Sequence, residues 1–256
     1  MRPFNMNIPA VIMTSAALSL AGGMPMLASS IDHRIEASAR SSYNFKTYLQ
    51  EDNIKVESSH GAVTLTGSVA QDYHKSLAEE TVAGLPGVKS VSNLLEVKGE
   101  QPSEHSDRWI NMKVKTALAF HKNVSASATE VNTQEGVVTL TGTAGSEAKK
   151  DLTGEYARDV EGVTSVRNEL VVGNVVPLHE KMEVRVDDAS ITAQIKTSLL
   201  FRKSTHALAT HVKTRNGVVT LHGEARNEEE KNRATRIAED IKGVKQVNNR
   251  MTLRQS

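Results

Sequence analysis

Apolar and polar positions alternate along three short stretches of the chain, each closed by glycines. They read Gly61-AVTLT-Gly67, Gly136-VVTLT-Gly142 and Gly217-VVTLH-Gly223. A period of two marks a strand with one buried face. The residues ahead of each first glycine fit the opposite arm of a hairpin, and Asn216-Gly217 has the composition of its two-residue turn. That register sets Val212 opposite Leu221 and Thr214 opposite Val219, and likewise Val56 opposite Leu65 and Val131 opposite Leu140. Gly67, Gly142 and Gly223 are expected to end the strand, where glycine permits a positive φ or a close backbone approach.

Helical spacing flanks each hairpin. Ile191, Ile195 and Leu199 recur every four residues, as do Ile110, Val114 and Leu118, and Ile35, Ala39 and Tyr43. Asp188, Asp107 and Asp32 stand where N-caps are expected. Ser38, Ser41 and Ser42 make the first of these helices the weakest. A second helix is expected over about 68–85, 146–160 and 227–241, with Ala234, Ile237, Ala238 and Ile241 as its buried stripe in the last copy. Gly87, Gly162 and Gly243, each followed by valine, are read as its C′ stop. A final strand alternates through Val91, Asn93, Leu95 and Val97, with counterparts around Asn168 and Asn249.

The spacing is identical in all three copies: 26 residues from Gly61 to Gly87, from Gly136 to Gly162 and from Gly217 to Gly243, then six to the asparagine. A frame kept over about 60 residues three times is a folded unit. The order α-β-β-α-β implies an α+β fold: three tandem units over 31–98, 107–172 and 188–254, each with two helices on one face of a three-stranded mixed sheet and the other face wet. The repeated asparagine lies in register with inward apolar residues and needs partners. Its amide is expected to bond loop backbone near the glycine turn, with a ligand contact as the alternative. The linkers, Gly99 to Ser106 and Gly173 to Asp187, are read as a flexible polar one and one whose Val175, Val176, Pro177 and Leu178 pack on a neighbour.

Composition adds three constraints. Aromatics are 4% of 256 residues and cysteine is absent, so small aliphatic cores without disulfide staples are expected. Residues 1–28 have the form of a secretory signal peptide, with Arg2 as the charge and Ile8 to Leu20 as the apolar core, so export is expected. The net charge of +1 is unevenly spread. Residues 31–98 carry 7 basic and 9 acidic groups, residues 107–172 carry 8 and 9, and residues 188–254 carry 13 and 7, a net +6. The third unit is the one suited to an anionic surface. The near-neutral whole argues against nucleic acid as a partner.

No Gly-x-Ser-x-Gly elbow, His-Glu-x-x-His helix or phosphate-cradling Walker sequence occurs, so an enzyme is not expected and no cofactor is implied. His211 faces His222 across the third hairpin, a weak candidate pair for Zn²⁺ or Cu²⁺ that needs further ligands, so no metal site is assigned. The candidate lipid-binding residues are Lys231, Arg233, Arg236, Lys242 and Lys245, around a helix that opens with Glu228, Glu229 and Glu230.

The repeated unit resembles the BON domain family of bacterial envelope proteins. The resemblance rests on Asp-x-x-Ile-x-x-x-Val/Ile-Lys at Asp107 to Lys115 and Asp188 to Lys196, on the glycine-bounded strand, and on Gly-Val-x-x-Val-x-Asn. The first copy departs most, with Ala39-Arg40 where the others have the Val/Ile-Lys step. The resemblance implies a soluble periplasmic protein of osmotic or envelope stress whose partner is an anionic phospholipid membrane surface. Alternatives are a chaperone for unfolded envelope proteins and a small-ligand or ion-binding module. The oligomeric state is left open.

Overall fold

A computed structural model describes residues 25–99, 102–173, 185–203, 205 and 210–254. The signal peptide, apart from its last four residues, and Val175 to Leu178 lie outside the described residues. Unit 1 comprises α1 (Pro25–Ser41), α2 (Tyr43–Thr47), β1 (Asn53–Ser59), β2 (Ala62–Val69), α3 (Asp72–Ala83) and β3 (Ser90–Val97). Unit 2 comprises α4 (Asp107–Phe120), a 3₁₀ turn (Ala126–Ala128), β4 (Thr129–Gln134), β5 (Val137–Ala144), α5 (Glu147–Arg158), β6 (Ser165–Asn168) and β7 (Val171–Val172). Unit 3 comprises α6 (Asp188–Leu200), β8 (Thr210–Arg215), β9 (Val218–Ala225), α7 (Glu228–Glu239), β10 (Gln246–Asn249) and β11 (Thr252–Leu253). No helix among the described residues is long and apolar enough to cross a membrane.

Each sheet is mixed, as the alternation predicts. The hairpin arms are antiparallel and the last strand runs parallel to the second arm. The expected register holds: Val56 pairs with Leu65, Val131 with Leu140 and Val212 with Leu221. The last strand is continuous in unit 1 but split in units 2 and 3, into β6 and β7 and into β10 and β11.

Four local expectations are corrected. First, Ser106 and Asp187 cap α4 and α6, one residue before the expected aspartates. Asp107 and Asp188 instead clasp the hairpin turn. Asp107 accepts from the backbone N–H groups of Glu135 and Gly136, both at 2.8 Å; Asp188 accepts from Asn216 at 2.7 Å and Gly217 at 2.9 Å. Asp32 does the same with His60 and Gly61 and takes the Ser58 hydroxyl at 2.6 Å; the Ser58, Gly61 and His60 bonds hold its carboxyl below the usual range. Both turn residues have positive φ, for example 53° at Asn216 and 79° at Gly217, so the turn points its two N–H groups outward and a carboxylate is the natural partner.

Second, Gly67 does not end its strand, which runs on to Val69. A Cβ at Gly67 would stand 2.0 Å from the Asn53 carbonyl oxygen, so close approach of the first arm excludes any side chain there. Third, Gly87 is not at C′, because α3 stops at Ala83 and is capped by Gly84. Fourth, the asparagines do not bond the turn loop. Asn93, Asn168 and Asn249 each donate to a carbonyl in the first turn of the second helix (Lys75, Lys150 and Lys231, at 3.0, 2.7 and 2.9 Å) and accept from the N–H two residues on. They fasten helix to sheet. The first helix of unit 1 is also the longest, with Ile35 and Ala39 buried; it breaks at Ser42, so Tyr43 belongs to α2.

The units pack on one another rather than hanging apart. Buried residues of units 1 and 3 form one apolar cluster, which Phe120 of unit 2 joins, and unit 2 keeps a core of its own. Aromatic side chains gather at the seams. The Tyr48 ring meets Phe120 edge-on at 4.9 Å and donates its hydroxyl to the Ala119 carbonyl at 3.1 Å, tying unit 1 to unit 2; Tyr73 meets Phe201 edge-on at 6.2 Å.

Candidate functional site

The aspartate clasp fixes each hairpin, and the hairpin fixes what its open sheet face displays. In unit 3 that face carries His211, Lys213 and Arg215 on β8, Thr220, His222 and Glu224 on β9, and Gln246 and Asn248 on β10, with Arg250 following. The inward positions Val219 and Leu221 are buried. Ion pairs within reach of unit 3 join Lys196 to Glu80, Arg202 to Asp159, Arg226 to Glu230 and Arg233 to Glu229; Lys213, Arg215 and Arg250 have none among the described residues. The equivalent positions are Glu57, Ser59 and Leu94 in unit 1, and Asn132, Gln134 and Glu169 in unit 2. At these three positions unit 3 carries cations where the other two units carry neutral or acidic residues. His211 and His222 are direct partners on this face and exposed. No group of three potential metal ligands occurs among the described residues.

The five basic residues around α7 stand in different settings. Lys242 is half-buried and donates to the Ala119 carbonyl of unit 2 at 3.2 Å, and burial pushes its ammonium down. Arg233 pairs with Glu229 at 3.3 Å. Arg233 and Arg236 line a recess of about 560 Å³ shared with Glu155, Arg158 and Asp159 of unit 2. Lys245 is exposed, its stem beside the Gly217 turn. The Lys231 carbonyl accepts from Asn249.

Units 2 and 3 meet through a reciprocal junction that the repeat frame alone did not disclose. Lys242 N donates to Phe120 O at 3.2 Å and Lys122 N to Asp240 O at 2.8 Å. At positions offset by 81 residues the roles exchange: Glu161 N donates to Phe201 O and Lys203 N to Asp159 O, both at 3.0 Å. Buried charges fill the space between the two bridges. Arg202 donates to His121 Nε2 at 2.8 Å and stands 3.6 Å from Asp159. With Nε2 accepting, the histidine proton sits on Nδ1, 3.2 Å from Asp240 Oδ2 but poorly aligned for a hydrogen bond. Asp240 also accepts from the Tyr156 hydroxyl at 2.8 Å and from Asn123. The His121 ring stacks on Tyr156 at 3.9 Å. Burial pushes the His121 imidazole down to about 4; Asp240 opposes this and the Arg202 charge adds to it. Burial, then Asp240, pushes the Tyr156 phenol up. The signal was present in Phe120 and Phe201, and in Asp159 and Asp240, at matching positions; unit 1 has Phe45 and Gly84 there.

Three repeats of this topology, with the clasp and the buried asparagine in each, define a chain of tandem α+β modules. The BON domain model matches residues 31–99, 106–174 and 187–255, and the chain belongs to that family. It is 32% identical over 198 residues to the osmotically-inducible protein Y of Escherichia coli strain K12, covering 77% of this chain and 95% of that one. It is 34% identical over 151 residues to an uncharacterized protein in the gshII 5' region of Anaplasma centrale, covering 59% and 96%. It is 32% identical over 120 residues to a 21 kDa hemolysin of Actinobacillus pleuropneumoniae, covering 46% and 61%.

Proposed function

We propose that this chain is a non-enzymatic periplasmic protein of osmotic or envelope stress, and that it docks on anionic phospholipid through the open sheet face of unit 3. The observation that carries the reading is the set of exposed cations Lys213, Arg215 and Arg250, none in an ion pair among the described residues, on one face of the unit with net charge +6. The stress role rests on similarity to a relative named for osmotic induction, and the location on the signal-like residues 1–28. Each basic side chain near an anionic leaflet contributes about 1 kcal/mol, so three together amount to roughly a hundredfold in affinity. The test is flotation of residues 31–256 with anionic and with zwitterionic vesicles at low and high salt. Binding confined to anionic vesicles, lost in salt and lost in Lys213→Glu/Arg215→Glu/Arg250→Glu, is the expected result. Absence of binding under every condition removes the mechanism.

A second reading is a chaperone for unfolded envelope proteins. It is favoured by Val171 and Val172, 67% and 45% exposed on the short strand β7, and by Leu94, 59% exposed on β3. Apolar residues on strands at a sheet edge suit capture of an extended client. Suppressed aggregation of an unfolded outer-membrane protein, reduced by Val171→Lys, would support it.

A further inference from the structure

We propose that His211 and His222 make the docking face of unit 3 acid-responsive, so that its affinity for anionic phospholipid rises as pH falls through the histidine range. The inference rests on the docking reading above. Its basis is placement. The two imidazoles are direct cross-strand partners, both exposed, on the same face as Lys213, Arg215 and Arg250. The matching pairs are Lys55 with Thr66 in unit 1 and Glu130 with Thr141 in unit 2, so titratable partners at both positions belong to unit 3 alone among the three hairpins. Histidine changes its charge near neutral pH, whereas lysine and arginine do not. Each proton taken up by the pair would add one cation to a face that carries Lys213, Arg215 and Arg250 against Glu224.

The charged groups around the pair fit this reading. On the face itself are Lys213, Arg215, Arg250 and the carboxylate of Glu224. At the edge beside His211 a recess is lined by Glu79, Glu80 and Lys196. Glu80 is engaged by Lys196 at 2.6 Å and Glu79 by the Asn93 amide at 2.9 Å. Both carboxylates beside His211 are thus held by other partners. A divalent cation is the competing use of two imidazoles, but no group of three potential ligands occurs among the described residues.

The experiment is flotation with phosphatidylglycerol vesicles at pH 7.5 and 5.5, at fixed ionic strength and with chelator present. Circular dichroism at both pH values monitors the fold. Wild-type protein is expected to bind on the order of tenfold tighter at pH 5.5. In His211→Gln/His222→Gln the ratio of the two affinities falls to near one. In His211→Lys/His222→Lys the ratio also falls, with binding at pH 7.5 raised to the level of acidified wild type. A pH-independent wild type, or a glutamine variant that keeps the ratio, overturns the inference while leaving docking intact. Failure of wild type to float at either pH overturns the docking reading itself.

Discussion

The junction of unit 1 with unit 3 and the junction of unit 2 with unit 3 bury polar groups in opposite ways. At the first, α3 lies against α6 so closely that a Cβ on Gly84 would stand 3.2 Å from Ala189 Cα. The buried polar centre is an amide. Asn44 donates to the Thr81 hydroxyl at 2.8 Å and to the Ser190 carbonyl at 3.3 Å, and accepts from Gln194 at 2.7 Å. At the second junction the buried centre is ionic, built on Arg202, Asp159, Asp240 and His121. One repeat thus supports a seam with a neutral buried centre, its Lys196–Glu80 pair partly exposed, and a seam whose buried centre is charged. Neutral amides lose little when desolvated if every partner is met, whereas desolvated charges depend on each other and on pH.

The sharpest way to break the comparison is to remove one member of each centre. Arg202→Ala removes the buried cation that faces Asp159 and the donor to His121 Nε2, and is expected to cost about 4 kcal/mol. Asn44→Ala strands the Gln194 and Thr81 groups and is expected to cost roughly 2–3 kcal/mol. Urea unfolding followed by tryptophan fluorescence and by far-ultraviolet circular dichroism checks both. Trp109, the one tryptophan, reports on unit 2. With Arg202→Ala the fluorescence transition should move to lower urea than the dichroism one, because unit 2 loses its partner. With Asn44→Ala the two should shift together or in the reverse order. Equal costs with coincident transitions would show that the seams do not differ.

The next effect is pH. His121 has its proton affinity depressed in the fold, from the ordinary value of 6.5 to about 4. Below pH 6.5 the unfolded chain takes up a proton that the folded hub resists. The stabilisation is therefore complete above about pH 6.5 and is lost as pH falls towards 4, by roughly 3 kcal/mol in all. The groups facing the imidazole explain the sign: Arg202 occupies Nε2, Tyr156 covers the ring, and Asp240 partly compensates. Thermal melts between pH 7 and 4 should show a steeper loss in wild type than in His121→Gln. His74, which burial also pushes down, stays in both proteins and sets the shared slope. Equal slopes would remove His121 from the pH response.

What the sequence disclosed divides along the same line. Strand register, hairpin turns and the apolar core of each unit follow from alternation and helical spacing, which are properties of short windows. The aspartates at the helix starts were misread because an N-cap is a local motif, while their carboxylates serve a turn 28 and 29 residues away. The asparagines were in register with the core, but register does not say which backbone group lies across from them. The ionic junction escaped for a further reason. Units 2 and 3 are offset by 81 residues and units 1 and 2 by 75, so the pairing of Phe120 with Phe201 and Asp159 with Asp240 stands out only when two units are compared without the third. The open face was half legible: the +6 charge of unit 3 was countable, but which of its cations share the open sheet face depended on the fold.

Tyr156→Phe gives the smallest and most selective test of the contrast. It removes the hydroxyl that donates to Asp240 at 2.8 Å and leaves the ring that stacks on His121. Asp240 keeps Asn123 and the neighbouring imidazole, so no carboxylate is left bare. The expected cost is about 1 kcal/mol, read as a small downward shift in melting temperature at pH 7. The same variant should change the pH response more than the stability. With one donor gone, Asp240 is a stronger acceptor for a protonated His121, the histidine titrates at higher pH, and the loss of stability on acidification becomes shallower. An unchanged pH response would mean that Tyr156 holds the junction by its ring alone.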